Sequence, residues 1–245
     1  MKVLLIDINA RVINHWAKGL GNLLKSGEVS IHNGSLESFE PNGLLKSIVS
    51  PGNSFGFLGG GFDLAIQEYF GGSLFERYVR YKLMHSYVPV TNCTVIPLNQ
   101  FSRDQFQYLL HIPTVVTPVV PDYDRRDPVH SGYRIVFDVT WNALHFPPSE
   151  TEQLVLPGLC TGYAGVPIPI ACKAMCFAIR LFYLKSILSQ DLINTMIMCF
   201  MGYQYEPFIS EDCLMECQKV GIDWDTMHRF NPHEDPLDSI LPSGY

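Results

Sequence analysis

Strands alternating with helices along most of the 245 residues predict an α/β fold of three layers, with a central mixed, mostly parallel sheet covered on both faces. Two further observations agree. Two glycine-rich segments each follow a short apolar run and precede an apolar-periodic stretch, as loops leaving parallel strands do. The composition, 47% hydrophobic and 17% charged, supplies a substantial core and excludes disordered, collagen-like and coiled-coil chains.

The elements follow in order. Val3 to Ile8 is a branched apolar run read as a strand, and Val12, Trp16, Leu20, Leu23 and Leu24 then recur at helical spacing. Val29 to His32 and Ser47 to Ser50 are predicted strands, the second entering the first glycine-rich loop. Helices are expected over Phe62 to Phe70 and Leu74 to His85, and strands over Cys93 to Leu98 and Tyr108 to Ile112. Pro121 to Pro128 is a polar surface loop, and Tyr133, Phe137, Trp141 and Leu144 mark one helix face. A strand from Gln153 to Leu156, a Gly/Pro loop and a long helix through Leu184 come next. A strand over Met196 to Met201 and a short helix over Cys213 to Val220 complete the order. A single domain is expected over residues 1–230, with residues 231–245 as a tail that wraps the surface or is partly mobile.

Charge narrows the partners. With 24 acidic against 17 basic residues and net charge -7, the chain lacks the footprint that a nucleic-acid polymer requires. Asp7 interrupts the N-terminal apolar run well before the ~7–15 residues of an export signal. Val166 to Leu184 carries Lys173 and Arg180, which suits a buried helix and no membrane partner. Seven scattered cysteines read as reduced core thiols and imply a cytoplasmic or nuclear location.

The first loop runs Ser50-Pro51-Gly52-Asn53-Ser54-Phe55-Gly56-Phe57-Leu58-Gly59-Gly60-Gly61-Phe62-Asp63, and the second runs Leu156-Pro157-Gly158-Leu159-Cys160-Thr161-Gly162-Tyr163-Ala164-Gly165-Val166-Pro167. Successive glycines let backbone N–H groups converge on an anion, and the following helix adds its unpaired N–H groups. Glycines serving turn geometry alone remain the competing reading. No Gly-Lys-Ser/Thr follows the first loop, and Gly-x-Gly-x-x-Gly spacing is missing, so neither a Walker loop nor a dinucleotide fold is indicated. Two such loops at the carboxyl ends of parallel strands point to a diphosphate held in a crevice.

These residues resemble the macro domain family, which binds ADP-ribose. Its strand-Asn and Gly-Gly-Gly-apolar-Asp pattern is matched by Ile48 to Asn53 and Gly59 to Ile66. Its Pro-x-x-x-Thr-Gly-x-x-Gly-x-Pro loop is matched by Pro157 to Pro167. The similarity covers about residues 29–201. Together with His111-Ile112-Pro113-Thr114-Val115-Val116, the two loops resemble fungal macro domain proteins described as ADP-ribose 1''-phosphate phosphatases.

The resemblance implies a metal-independent hydrolase without cofactor, acting on ADP-ribose 1''-phosphate. Release of ADP-ribose from modified proteins, or binding alone, are the alternatives. It implies that Asn53 meets the distal ribose, that Gly59, Gly60, Gly61 and Phe62 wrap the diphosphate together with Gly158, Cys160, Thr161, Gly162, Tyr163, Ala164 and Gly165, and that Asn53, Asp63 and His111 form the catalytic set. Each has a plainer reading: Asn53 as a turn cap, Tyr163 as a packing aromatic, Asp63 as a first-turn carboxylate favoured by the helix dipole, His111 as a core residue. Cys160 near a helix start is either a small loop residue or a thiol of lowered pKa. In Gly34-Ser35-Leu36, serine stands where the family's adenine-reading Asp is found, so Ser35 and Leu36 mark the adenine end, with Asp7 or Asn9 as substitutes for that Asp and Tyr203 or Tyr205 as the residue that stacks on the base. Cys172/Cys176 and Cys213/Cys217 are read as core thiols over zinc ligands, and no HExxH or Gly-x-Ser-x-Gly motif is present.

Overall fold

The computed structural model describes residues 1–203 and 209–242. Six strands, β1 (Lys2–Asp7), β2 (Val29–Asn33), β3 (Lys46–Ser50), β4 (Thr94–Pro97), β5 (Phe106–His111) and β6 (Gln153–Pro157), form one sheet in the order β2-β1-β6-β3-β5-β4. Every neighbouring pair is parallel except β4 with β5. The period-two alternation of side chains builds two cores from the same strands. Val3, Leu5, Val49, Leu110, Leu154 and Leu156 face one layer. Leu4, Ile6, Ile48, Leu109 and Val155 face the other.

The second layer is covered by α3 (Gly61–Phe70) and α4 (Ser73–Lys82), through Ile66, Tyr69, Phe70, Phe75 and Val79. The first is covered by α1 (Ala10–Gly19), α2 (Gly21–Ser26), α5 (Ile135–His145), α6 (Ile168–Leu184) and α7 (Gln190–Phe200), followed by α8 (Glu211–Lys219) and α9 (Trp224–His228). The single helix predicted through Leu24 is interrupted at Leu20, where φ -122° ends α1. Gly19 lets α1 cross α6 closely, since a Cβ there would stand 2.6 Å from Cys176 Sγ.

Met196 to Met201, predicted as a strand, is instead the last part of α7 and its C-cap. Its all-apolar run has no period that separates a buried strand from a buried helix. What decides is the start: Ser189 Oγ accepts from Leu192 N at 3.2 Å, capping a helix whose buried face carries Ile193, Met196 and Phe200. Phe200 stacks on Phe177 of α6 at 4.1 Å. The sheet position beside β6 is taken by β1. Beyond α9, Leu237, Ile240 and Leu241 are buried in the first core, and Asp238 accepts from Arg180 Nη1 at 2.7 Å. The described part of the C-terminal segment is thus packed on α6.

The topology sets the site. β6 lies between β1 and β3, so the loops leaving Ser50 and Pro157 emerge side by side. The β3–β5 register pairs Ser50 with His111.

Candidate functional site between two glycine-rich loops

The first loop is held by the chain beyond β5. Thr114 N donates to Gly52 O at 2.9 Å, Ser54 N to Val115 O at 3.1 Å, and Thr114 Oγ1 to Pro51 O at 2.7 Å. Asn53 binds its own loop: Nδ2 donates to Phe57 O at 2.7 Å, and Oδ1 accepts from Phe55 N at 3.1 Å and Phe57 N at 3.4 Å. Leu58 is fully buried and its N–H reaches Glu76 Oε2 at 2.8 Å, while Phe57 lies under the Arg80 guanidinium at 4.0 Å. Gly61 opens α3 at φ +57°, which favours glycine. The N–H groups of Gly59, Gly60, Gly61 and Phe62 have no protein acceptor among the described residues.

Asp63 sits in the first turn of α3, only 7% exposed, and Ser50 Oγ donates to its Oδ1 at 2.8 Å. Burial raises its pKa from 3.8 to about 7, against the lowering effect of the Ser50 bond. That rise corresponds to about 4 kcal/mol against the charged form, whereas the helix dipole offers ~0.3–1 kcal/mol in its favour. Desolvation wins, and Asp63 exchanges a proton near neutrality. Gly52 leaves the room this carboxylate needs: a Cβ there would lie 2.7 Å from Asp63 Oδ2 and 2.9 Å from His111 Cε1. His111 is fully buried, with Nε2 3.2 Å from Asn53 O and Nδ1 3.3 Å from Ser50 Oγ. Burial pushes its pKa down to about 4, so the ring is neutral at physiological pH.

In the second loop, Val166 N donates to Cys160 O at 3.0 Å and Gly165 N to Gly162 O at 3.0 Å. Thr161, Gly162, Tyr163 and Ala164 present N–H groups without a protein acceptor among the described residues. Cys160 adopts φ +60°, uncommon for a side-chain-bearing residue, and its thiol is buried with its pKa pushed up to about 12. The lowered-pKa reading of Cys160 is therefore overturned: burial, with the Asp122 carboxylate adding to it, outweighs the nearby helix start.

Between the loops lies a cavity of about 380 Å³. Asn53, Gly59, Gly60, Gly61, Phe62, Asp63, Gly158, Cys160, Gly162, Tyr163 and Ala164 line it, joined by Pro51, Gly52, Phe55, Phe57, Thr114, Val115, Thr117 and Pro118. No lysine or arginine is among these residues. A larger cavity of about 470 Å³ lies between α1, α2 and α6, lined by His15, Lys18, Lys173 and Arg180 among others. It has neither the paired glycine loops nor a buried carboxylate, so size does not select the site.

The remaining sequence candidates stand apart from this lining. His111 lies behind Gly52, and Thr161 and Gly165 shape the second loop without facing the cavity. Ser35 Oγ accepts from Ser38 N at 3.3 Å, and Leu36 is buried in the second core. Tyr203 is bound by Arg134 Nη1 at 2.8 Å beside His130, and Tyr205 lies outside the described residues. Asn9 caps α1, accepting from Arg11 N at 3.0 Å, whereas Asp7 stands beside the second loop: a Cβ on Gly158 would meet Asp7 Oδ2 at 2.3 Å. Ser50 and the wall of Thr114, Val115, Thr117 and Pro118 are not singled out as site residues by the sequence, because their roles arise from strand register. Among the described residues, no group of three or more His, Cys, Asp or Glu side chains is placed to hold a metal.

Comparison with known proteins places the chain in a family. A protein of Aquifex aeolicus (strain VF5) without an assigned function is 30% identical over 148 residues, covering 60% of this chain and 80% of its own. A solved structure, the Oceanobacillus iheyensis macrodomain with MES bound, is 19% identical, with TM-score 0.44 over 54% of this chain and 67% of the other. The model of the macro-like domain matches residues 40–245, which include both glycine-rich loops, Asp63 and the sheet from β3 to β6. The chain belongs to the macro-like domain family.

Proposed function

We propose that the cavity binds ADP-ribose and that the chain hydrolyses a substituent from its distal ribose, with ADP-ribose 1''-phosphate the first substrate. The carrying observation is Asp63, a buried carboxylate of pKa about 7 at the wall of a cavity lined by two loops with unpaired N–H groups. Those N–H groups suit a diphosphate without any cation. Asp63 Oδ1 accepts from Ser50 and Oδ2 has no protein donor among the described residues, so Oδ2 is free to take a proton from water. A base poised near neutrality fits this task. Asp7, beside Gly158 at the edge of the second loop, would read the adenine amino group in place of Ser35.

The cation-free lining favours a second substrate through the same pocket. A phosphate dianion beside Asp63 gains no compensating positive charge, whereas an ADP-ribosyl group linked to protein brings none of that repulsion. The test incubates the protein with ADP-ribose 1''-phosphate and with mono-ADP-ribosylated protein, following released phosphate and ADP-ribose, alongside calorimetry with ADP-ribose. Binding with neither product identifies a non-catalytic module; no binding removes the functional reading.

A further inference from the structure

The hydrogen-bond valences around Ser50 do not close in every protonation state. Asn53 O only accepts, so the proton of the neutral His111 ring sits on Nε2, and Nδ1 is itself an acceptor. Ser50 Oγ therefore faces two acceptors, Asp63 Oδ1 at 2.8 Å and His111 Nδ1 at 3.3 Å, with a single hydroxyl proton. When Asp63 is ionised the proton goes to the carboxylate, and Nδ1 is left buried opposite an oxygen lone pair. When Asp63 is protonated on Oδ1, it donates to Ser50 Oγ, the hydroxyl turns to Nδ1, and all three groups are satisfied.

We propose that Ser50 is a positioning residue that couples His111 to Asp63, so that the ring, without touching the cavity, makes Asp63 the stronger base. The inference rests on the proposed role of Asp63 and deepens it. An unsatisfied buried acceptor is costly, and here only the acid carrying its proton on Oδ1 escapes the cost, so the equilibrium is drawn toward the protonated form whichever oxygen first takes the proton from water. Beside Asp63 stand Ser50 from β3, Gly52 from the first loop and, beyond Ser50 and Gly52, His111 from β5. His111 is the titratable member, and the cavity lining adds no charged group other than Asp63. The N-terminal end of α3 favours the carboxylate and acts in the opposite direction.

The test is an NMR titration of the full chain labelled at aspartate carboxyl carbons, Asp63 being assigned with Asp63→Asn, together with ring ¹⁵N shifts for His111. The wild type should show the Nε2-protonated tautomer. His111→Phe removes the acceptor and should lower the Asp63 pKa by about one unit. His111→Asn, whose Oδ1 replaces Nδ1 as acceptor, should hold it near the wild-type value, and the midpoint of any pH–rate profile should move with it. An Nδ1-protonated ring, or an Asp63 pKa unchanged in His111→Phe, overturns the coupling. Absence of hydrolysis with the titration behaving as stated would remove the function and leave the coupling standing.

Discussion

The ring of Tyr163 covers Gly60: a Cβ at Gly60 would stand 2.9 Å from Tyr163 Cε2 and 3.3 Å from its hydroxyl, joining the two loops across the cavity. Tyr163 is 60% exposed, so it can swing away without disturbing the core. Gly60→Ala should therefore leave thermal stability unchanged and weaken ADP-ribose binding several-fold. Gly60→Glu, which adds bulk and charge in the phosphate path, should abolish binding in calorimetry. Unchanged affinity in both would remove the loop assignment.

Asn53 gives a prediction that separates support from contact. Its amide is engaged by Phe55 and Phe57, so Asn53→Ala removes three hydrogen bonds within the loop. A loss of about 1–3 kcal/mol in chemical denaturation should accompany the loss of binding. Weakened binding at full stability would instead mark Asn53 as a ribose contact alone.

Asp63 and His111 should impose opposing pH dependences on stability. Asp63, raised to about 7, binds its proton more tightly in the folded chain, so its contribution falls as pH rises from about 4 to about 7, by about 4 kcal/mol at most. His111, lowered from 6.5 to about 4, contributes stability that is present above pH 6.5 and lost as pH falls toward 4, by about 3 kcal/mol at most. Between about pH 4 and about pH 6.5 the two slopes largely cancel. Urea unfolding of Asp63→Asn should therefore show stability rising with pH over that window, and His111→Asn should show it falling. Parallel profiles for the two variants would contradict the assignments.

Much of the site was legible in sequence because backbone donors need only glycines between a strand and a helix, and both loops declare that pattern. The strands β1, β3 and β6 were legible as short apolar runs, read as Val3 to Ile8, Ser47 to Ser50 and Gln153 to Leu156 and found at Lys2–Asp7, Lys46–Ser50 and Gln153–Pro157. Met196 to Met201 failed because an apolar run beside other apolar runs carries no period; the Ser189-Gln190-Asp191 start was the available signal. The turn-cap reading of Asn53 is met by its bonds to Phe55 and Phe57, whereas the neutrality of His111 depends on burial and on the Ser50–His111 register, which no local pattern encodes.

With no lysine or arginine lining the cavity, binding should depend weakly on salt. Raising salt from about 50 to about 200 mM should change the ADP-ribose dissociation constant by less than about threefold, since no ion pair is screened. A steep dependence would place a cation in contact with the diphosphate.

The most direct measurement is phosphate release from ADP-ribose 1''-phosphate as a function of pH, for the wild type and Asp63→Asn. Asp63 acting as base predicts a rate that rises through about pH 7 and levels above it, and a loss of about 10²–10⁴-fold in Asp63→Asn with ADP-ribose binding retained. A rate that falls through the same range, or an Asp63→Asn variant as active as the wild type, would contradict it.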